Sequence, residues 1–341
     1  MRQMLHSLFI TEEDAELHLK KESLVIAQKG ETVAQLPLIN LENIISFSYL
    51  TPSIQLITEL CNRQINFAVI SKSGKLKFRA IGETRGNPEL RLCQYNIFTD
   101  ESRRLAIAKT IIKSKLKSCT VLLKRFLKNH SFLQEQINNS ITLLNNCITE
   151  VDACGSNDEI RGVEGTAARI YYSNFDNMIL SNDAELKFVK RTKRPPENNF
   201  NALLSLCYTV VTKMCKSALE TVGVDPYFGA LHEIKSGNAS LAYDIVEEFR
   251  AIICDRFVFR VINLKMLTIE DFEHEEKIYL AKNGLKKFFV EWNKYIATEV
   301  KINSSIEKLP IGLLPYYRAL EYSRFIYGKC EMLLPLEVQI L

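Results

Sequence analysis

The sequence predicts an α+β protein in which a small N-terminal β-rich domain precedes a larger all-α domain. Short runs rich in β-branched and aromatic residues, bounded by polar turns such as Ser73-Gly74, fill residues 1–85. From residue 88 almost to the end, apolar residues recur at helical spacing. The 341 residues, 47% of them hydrophobic, are enough for about two domains with buried cores.

Seven strands are predicted in the β-rich domain. The segment 15–19 alternates apolar and polar residues, which is the period of a half-buried strand. Short β-branched runs predict the other strands at 8–10, 24–26, 33–36, 44–47, 65–70 and 76–80. Residues 53–62 break the two-residue period and predict one helix inserted among the strands.

The domain boundary is predicted between residues 85 and 86, which gives domains 1–85 and 86–341. Asn87 is a favourable N-cap and Pro88 fits the first position of a helix, so a helix is predicted to start there. The short segment before Pro88 is interpreted as a hinge. Helices are predicted at 88–97, 101–128, 131–152, 163–180, 199–222, 240–263, 279–298 and 314–330.

The composition narrows the class of protein. Nine scattered cysteines without a C-x-x-C pair argue against a disulfide framework and a thiolate zinc site, and they indicate a reduced, cytoplasmic setting. The N-terminus lacks the apolar core of a signal peptide, and no apolar run is long enough to cross a membrane. A net charge of +4 is only weak support for a nucleic-acid partner.

Residues 231–250 combine a histidine with clustered carboxylates, the side chains from which divalent-metal sites are built. His232 precedes a Ser-Gly-Asn loop, and Asp244, Glu247 and Glu248 lie in the first turns of the next helix. That helix is apolar nearly all round, which is typical of an interior helix, and carboxylates on such a helix need partners. A metal ion would be such a partner.

Glu164 is a further candidate ligand on a separate predicted helix. It lies between Gly162 and Gly165 and precedes two alanines, and small residues allow another backbone to approach closely. Each candidate also has a simpler interpretation. His232 alone could be a hydrogen-bonded structural histidine, and Glu164 could complement the helix macrodipole.

Asp244 and Glu247, which are three residues apart on the predicted helix, could be solvated or paired with Arg250 or Arg256. Spacing alone cannot rank Asp244, Glu247 and Glu248 as ligands. Nor does it show that Glu164 meets His232 in space.

Five ordered motifs connect the chain to a known family. The first is Gly-Val-Glu-Gly-x-Ala-Ala-Arg-x-Tyr-Tyr at 162–172, and the second is a basic segment at 191–196 that ends in Arg-Pro-Pro. Asn-Ala-Leu-Leu-Ser follows at 201–205. The last two are Gly-x-Asp-Pro-Tyr-x-Gly-x-Leu-His at 223–232 and Ser-Leu-Ala-x-Asp-x-x-Glu-Glu-Phe-Arg at 240–250. In this order the five motifs resemble the CRISPR-associated adaptation integrases called Cas1. The β-rich region is similar to that family too, so the resemblance spans nearly the whole chain.

The resemblance implies that Glu164, His232 and Glu247 ligate a divalent metal, and that Asp244 is a catalytic-site residue that supports them. One imidazole with carboxylates suits Mg²⁺ or Mn²⁺. The implied reaction is the attack of a captured DNA 3′-OH on a phosphodiester of a CRISPR repeat, or of water in nuclease activity.

This reaction needs no covalent enzyme intermediate, so Tyr171 and Tyr172 are interpreted as packing or phosphate-contacting residues. The resemblance also implies a homodimer joined through the β-rich domain, for which Phe47, Tyr49 and Leu50 could supply interface or core residues. It further implies assembly with the small adaptation protein Cas2, without a membrane.

Two basic surfaces are candidates for contact with double-stranded DNA. A lysine stripe within about 100° of arc on the helix 101–128 comprises Lys109, Lys113, Lys117, Lys124 and Lys128. A basic loop before Pro195-Pro196 comprises Lys187, Lys190, Arg191, Lys193 and Arg194. The alternatives are a solvated helix face and a flexible solubilising loop.

Three functions are therefore compared. A metal-dependent DNA integrase and endonuclease is the leading hypothesis. The second is a non-catalytic DNA-binding scaffold with structural carboxylates. The third is a metallohydrolase that acts on RNA or on a small phosphoester.

Overall fold

The computed structural model describes residues 6–10, 14–46, 50–70, 76–80, 82, 88–130, 133–193, 195–274, 277–302 and 308–340. Within these ranges, eight strands and one α-helix occupy the part before residue 82. Ten α-helices and five short strands follow it. The predicted α+β class, with strands first and mostly helices after them, is confirmed.

Two four-stranded sheets form the N-terminal part. One sheet has the order β4-β3-β2-β6, from Glu31–Pro37, Ser23–Gln28, Ala15–Lys20 and Leu50–Pro52. The other has the order β1-β5-β7-β8, from His6–Ile10, Leu41–Ser46, Asn66–Ile70 and Leu76–Ala80. All seven predicted strands are present, and β6 is the one that the sequence pattern missed.

The inserted helix is α1, Ile54–Asn62, and it begins where a capping residue places it. The Ser53 hydroxyl accepts a hydrogen bond from the Leu56 N–H at 3.2 Å, which satisfies a free donor of the first turn. Leu56 and Leu60, one turn apart, are fully buried between the sheets and the helix. Of the residues considered for an interface, Leu50 is half-buried, whereas Phe47 and Tyr49 lie outside the described residues.

Most helices of the second part follow the predicted positions, but the helix predicted at 163–180 ends at Tyr172 and a separate short helix follows it. The helices are α2 to α11 at Pro88–Thr99, Glu101–Asn129, Gln134–Ala153, Asn157–Tyr172, Phe175–Met178, Asn199–Thr221, Ser240–Phe249, Arg256–Asn263, Lys282–Ile296 and Leu314–Ile326. The predicted domain boundary falls in 83–87, outside the described residues. Two buried clusters lie on either side of it, one of residues 10–67 and one mainly of residues 90–338.

Helix α5 starts six residues before its predicted start at 163. The Ser156 hydroxyl accepts a hydrogen bond from the Glu159 N–H and caps the helix there. Glu164 therefore lies in the middle of a 16-residue helix rather than in its first turn. This position contradicts the interpretation of Glu164 as a partner of the macrodipole, because that effect is confined to the terminal turns.

The second part is mostly helical rather than entirely so. Strands β9 (Phe272–His274) and β10 (Ile278–Leu280) form a hairpin, and this hairpin is why α10 begins at 282 instead of 279. Strand β11 (Glu299–Ile302) pairs with β12 (Lys308–Pro310) and with β13 (Val338–Ile340). Strands of three or four residues are too short to show a two-residue period, so the sequence pattern does not reveal them.

The helix predicted at 240–263 is interrupted by a π-helical segment, Arg250–Asp255, between α8 and α9. No glycine or proline marks this segment, and five of its six residues are buried. Such π-bulges inside helices are frequent at functional sites.

Helix α7 is part of the larger core, and it contacts α8 and α11. By length and composition it could cross a membrane, which the sequence analysis did not expect of any apolar segment, but 67% of its apolar window is buried inside the protein. A core helix meets the same criterion.

Candidate metal centre

Three of the four candidate site residues, Glu164, His232 and Glu247, line one open cleft of about 530 Å³. Glu164 comes from α5, His232 from the loop before α8, and Asp244 and Glu247 from α8 itself. The cleft is lined by Arg161, Glu164, Lys193, Leu231, His232, Glu233, Lys235, Asn238, Glu247 and Arg250. Asp244 is fully buried behind His232.

Asp244 fixes both the ring and the backbone of the histidine. Its Oδ1 is 2.7 Å from His232 Nδ1 and accepts the His232 backbone N–H at 2.9 Å. Its Oδ2 accepts the N–H groups of Ala230 and Leu231 at 2.6 and 3.0 Å. An ionised carboxylate can only accept, so Nδ1 donates the bond and Nε2 of the neutral ring is left as the free nitrogen. This is how second partners orient metal-binding histidines.

Close packing holds the loop that carries His232, residues 222–239, against α8. We call this segment the histidine loop. A Cβ on Gly229 would lie 2.7 Å from Asp244 Oδ2 and from the Leu241 backbone nitrogen, so only glycine fits there. The Ser240 hydroxyl accepts the Gly229 N–H at 2.9 Å and bonds the Tyr227 carbonyl. The loop therefore has little freedom to move His232 away from the cleft.

Three helices also clamp the same loop. Buried Gln94 on α2 accepts the Asp225 N–H at 2.8 Å and donates to the Asp225 carbonyl at 2.9 Å. The Ala230 carbonyl accepts bonds of 2.9 Å from Arg104 on α3 and from Asn157 on α5. Side chains from three helices thus satisfy the backbone groups of this loop at Asp225 and Ala230.

Glu247 is the most strongly paired carboxylate of the cleft. Its Oε1 is 2.7 Å from Arg250, and its Oε2 is 2.8 Å from the Lys115 ammonium. Lys115 pairs with Glu164 as well, so one ammonium joins two of the three candidate ligands. Burial would raise the pKa of Glu247, but the charges of Arg250 and Lys115 outweigh it and hold the pKa at about 2.

His232 completes the group, because its Nε2 is 4.0 Å from Glu247 Oε1. Burial lowers the pKa of His232, but the hydrogen bond to Asp244 and the charges of Asp244 and Glu247 raise it above its ordinary value. The charge of Arg250 opposes this rise in pKa but does not outweigh it.

The comparison with known proteins gives the family. A family model described as CRISPR associated protein Cas1 matches residues 8–294. The chain belongs to the Cas1 family. A curated relative, the CRISPR-associated endonuclease Cas1 1 of Moorella thermoacetica, is 30% identical over 339 residues. These residues are 98% of this chain and 99% of the relative.

Solved structures share the fold. A casposase bound to its integration product has a TM-score of 0.82 at 22% identity, covering 97% of this chain and 93% of that chain. A chain of a Cas6-RT-Cas1–Cas2 complex has a TM-score of 0.80 at 20% identity, covering 96% of this chain and 36% of that chain. At these identities the likeness is evidence for the Cas1 fold alone.

A divalent cation fits the donor set of this Cas1 chain. Two carboxylates and a free imidazole nitrogen face one cleft, and the buried Oε2 of Glu247 has no aligned hydrogen bond. Within the described part of the chain, however, no three Asp, Glu, His or Cys side chains are gathered closely enough to form a ready-made metal site. The Lys115 ammonium lies between Glu164 and Glu247 instead.

Sequence reasoning missed Lys115, whose ammonium contacts two candidate ligands. It lies on α3 two residues from Lys113 and from Lys117, and therefore on the opposite side of the helix from the lysine stripe. Its neighbours on that side, Ile111, Ile112, Leu116 and Cys119, are buried. A lysine within an apolar helix face was the available signal, because such a lysine needs a buried carboxylate.

The lysine stripe is largely paired within the protein. Lys109 donates to the Asp152 carbonyl at 2.9 Å, Lys113 pairs with the Asp152 carboxylate, and Lys117 pairs with Glu337. Lys124 and Lys128 are exposed. A role of Lys113 and Lys117 in DNA binding stays a prediction, and it requires these ion pairs to exchange for phosphate.

The residues of the basic loop differ in the groups that they contact. Arg191 donates to Asn201 at 2.8 Å and to Ser205 at 3.1 Å, so it is held against α7. Lys190 is 3.6 Å from Glu197, and among the described residues of this loop only Lys193 lines the cleft. Arg194 lies outside the described residues. Of the predicted DNA contacts, Lys193 has the position closest to the site.

Three tyrosines, Tyr171, Tyr172 and Tyr208, lie behind the cleft rather than on its wall. The hydroxyls of Tyr171 and Tyr208 donate to the buried Asp255 at 2.9 and 2.7 Å. Burial raises the pKa of Tyr171 and of Tyr172 above the ordinary value. Neither tyrosine lines the cleft, which agrees with their interpretation as packing residues.

Proposed function

We propose that this chain is a divalent-metal-dependent DNA endonuclease and integrase of CRISPR spacer acquisition. Its Cas1 family membership and the endonuclease named among its relatives support the activity on DNA. The observation that carries the site is the meeting of Glu164, Glu247 and His232 Nε2 at one cleft, with Asp244 behind the histidine.

Glu164, His232 and Glu247 would hold the cation, which is Mg²⁺ or Mn²⁺ by the hard character of the donors. Such a cation supplies Lewis acidity toward a phosphodiester and lowers the pKa of a hydroxyl nucleophile. Asp244 keeps the Nδ1 proton of His232 in place, so that Nε2 presents its lone pair to the cleft.

Lys193 and Arg161 lie on the cleft wall, where their charges can hold DNA phosphates. The nucleophile is the 3′-OH of a captured DNA fragment, and the target is a phosphodiester at a CRISPR repeat. One P–O bond forms as another breaks, and the leaving group is a DNA 3′-hydroxyl. When water attacks instead, the same site acts as a nuclease.

The partners follow from the family. Double-stranded DNA, CRISPR repeat DNA and Cas2 are the proposed partners, since a structurally similar chain belongs to a complex with Cas2. We also propose a homodimer joined through the two N-terminal sheets, and a cytoplasmic location without membrane attachment.

A strand-transfer assay with Mn²⁺ or Mg²⁺ tests the proposal. Glu164→Gln and His232→Ala should abolish transfer and cleavage while DNA binding persists, because each removes one ligand and leaves the basic residues. Exposed Glu150→Gln on α4 and His274→Ala on β9 are matched controls that should retain activity. Full activity of the site variants would refute the assignment.

The scaffold hypothesis has one observation in its favour. Lys115 and Arg250 already compensate Glu164 and Glu247, as a purely structural cluster would require. On that hypothesis a chelator changes no activity, and Glu247→Ala mainly lowers the melting temperature. Cleavage measured side by side on DNA, RNA and a small phosphoester separates the integrase from a general metallohydrolase.

A further inference from the structure

The Lys115 ammonium occupies the point at which two of the proposed ligands meet. It pairs with Glu164 Oε1 and is 2.8 Å from Glu247 Oε2, and the lysine is only 9% exposed. The other oxygen of Glu247 is 2.7 Å from Arg250. Both oxygens of Glu247 are therefore held by cations of the chain itself.

These four groups already balance one another in charge. Glu164 and Glu247 contribute two negative charges, and Lys115 and Arg250 contribute two positive ones. A dication added to this arrangement would be repelled by an ammonium bound to its own ligands. For a cation to bind both glutamates, at least one of the two basic side chains must leave.

Lys115 is the side chain that can leave. The Arg250 guanidinium is 4.8 Å from the centre of the Tyr208 ring, and Arg191 is 5.2 Å from the same ring, so Arg250 belongs to a stacked group. The lysine side chain is flexible, and its ammonium lacks the fixed planar array of donors that a guanidinium has. A small cavity of about 10 Å³, roughly the space of one water-sized group, adjoins Lys115 and has Asp255 on its wall.

We infer that Lys115 is an internal counter-ion that competes with the divalent metal for Glu164 and Glu247. It keeps the carboxylates apart from solvent cations until the metal concentration is high enough to displace it. The inference rests on the proposed metal site and adds to it a built-in limit on metal affinity.

Calorimetric titration of the full chain with Mn²⁺, without DNA, tests the inference. Lys115→Met should bind Mn²⁺ at least about tenfold more tightly than the wild type, because the competing charge is gone. Lys115→Arg, which retains the charge, should not gain affinity. Lys287→Met is the matched control, since it removes a lysine 2.7 Å from the buried Asp271, outside the cleft.

A melting experiment gives a second readout that does not depend on activity. Without metal, Lys115→Met should melt at a lower temperature than the wild type, because two carboxylates lose their counter-ion. Saturating Mn²⁺ should then raise its melting temperature more than that of the wild type. If Lys115→Met does not fold without metal, Lys115→Gln, which retains a hydrogen-bond donor, is titrated in its place.

The outcomes separate this inference from the proposed function. If the wild type binds Mn²⁺ and the uncharged variants bind it equally or more weakly, the competition is refuted and the metal site stands. If neither the wild type nor any Lys115 variant binds Mn²⁺ or Mg²⁺, both are refuted.

Discussion

Three acidic residues on one short helix have three different roles, and their partners distinguish them. Asp244 holds the histidine and its backbone, whereas Glu247 faces the cleft between two cations. Glu248, the next residue, points away and pairs with Arg318, which is 1% exposed. Adjacent positions on a helix project about 100° apart, so each side chain reaches a different neighbour.

At the residue scale, Asp255 should make stability fall as pH rises. Burial raises its pKa to about 6, above the 3.8 of an unperturbed aspartate, so between these values the folded state binds more protons than the unfolded state. The wild type should therefore lose roughly 2 kcal/mol relative to Asp255→Asn between about pH 4 and pH 7. Urea unfolding of both proteins at each pH measures this.

The quantity compared is the difference in unfolding free energy between the wild type and Asp255→Asn at each pH. Taking this difference cancels the titration of the groups that both proteins share. A gap in unfolding free energy that stays constant with pH would show that Asp255 titrates normally. Because Asp255 is not a proposed metal ligand, the measurement is made without metal.

At the scale of elements, the junction between the histidine loop and α8 is set by a glycine. The loop approaches the start of α8 so closely that any Cβ at 229 would collide with backbone and with Asp244. The sequence motif contains this glycine, but its spacing gave no reason for it. Only the packed junction supplies the reason.

Gly229→Ala should lower the free energy of unfolding by about 2 kcal/mol or more, because backbone atoms must move. It should also weaken Mn²⁺ binding, since Asp244 and His232 move with the junction. Gly162→Ala is the contrasting variant. A Cβ there meets nothing within 4 Å on an exposed position of α5, so stability should rise by about 0.5–1 kcal/mol. Denaturant titration that shows equal effects would contradict the packing argument.

The order of elements was largely predictable. Two-residue and helical periods gave seven of the eight strands of the N-terminal sheets and the positions of the longer helices. The π-helical segment and the three-residue strands were not predictable, because pairing with distant segments selects them rather than local preference. The start of α5 was missed although Ser156 and Glu159 form a recognisable capping pattern.

At the scale of the molecule, helix α11 near the C-terminus supports α8 through a buried ion pair. Arg318 Nε and Nη2 are 3.0 and 2.8 Å from the two oxygens of Glu248, and both residues are almost fully buried. Seventy residues separate them in the chain. The helix that carries Asp244 and Glu247 is thereby fixed from behind.

Arg318→Met should lower the free energy of unfolding by about 3–5 kcal/mol, since it leaves the Glu248 carboxylate buried without its partner. The double variant Arg318→Met with Glu248→Leu should recover much of that loss. Lys294→Met breaks an exposed pair with Glu291 and should change stability by less than about 1 kcal/mol. Urea unfolding measures these changes, and an equal loss of unfolding free energy in Arg318→Met and in the double variant would contradict this account.

The sequence by itself determined the α+β class, the positions of the longer helices and of most N-terminal strands, the family and the residues proposed as ligands, because these depend on local periods and on ordered motifs. The tertiary structure decided which groups meet. Lys115 lies 49 residues from Glu164 in the chain yet pairs with it, and no local pattern encodes that contact. Long-range pairing depends on how α3, α5 and α8 pack together, and that packing is set by the whole core rather than by any one segment.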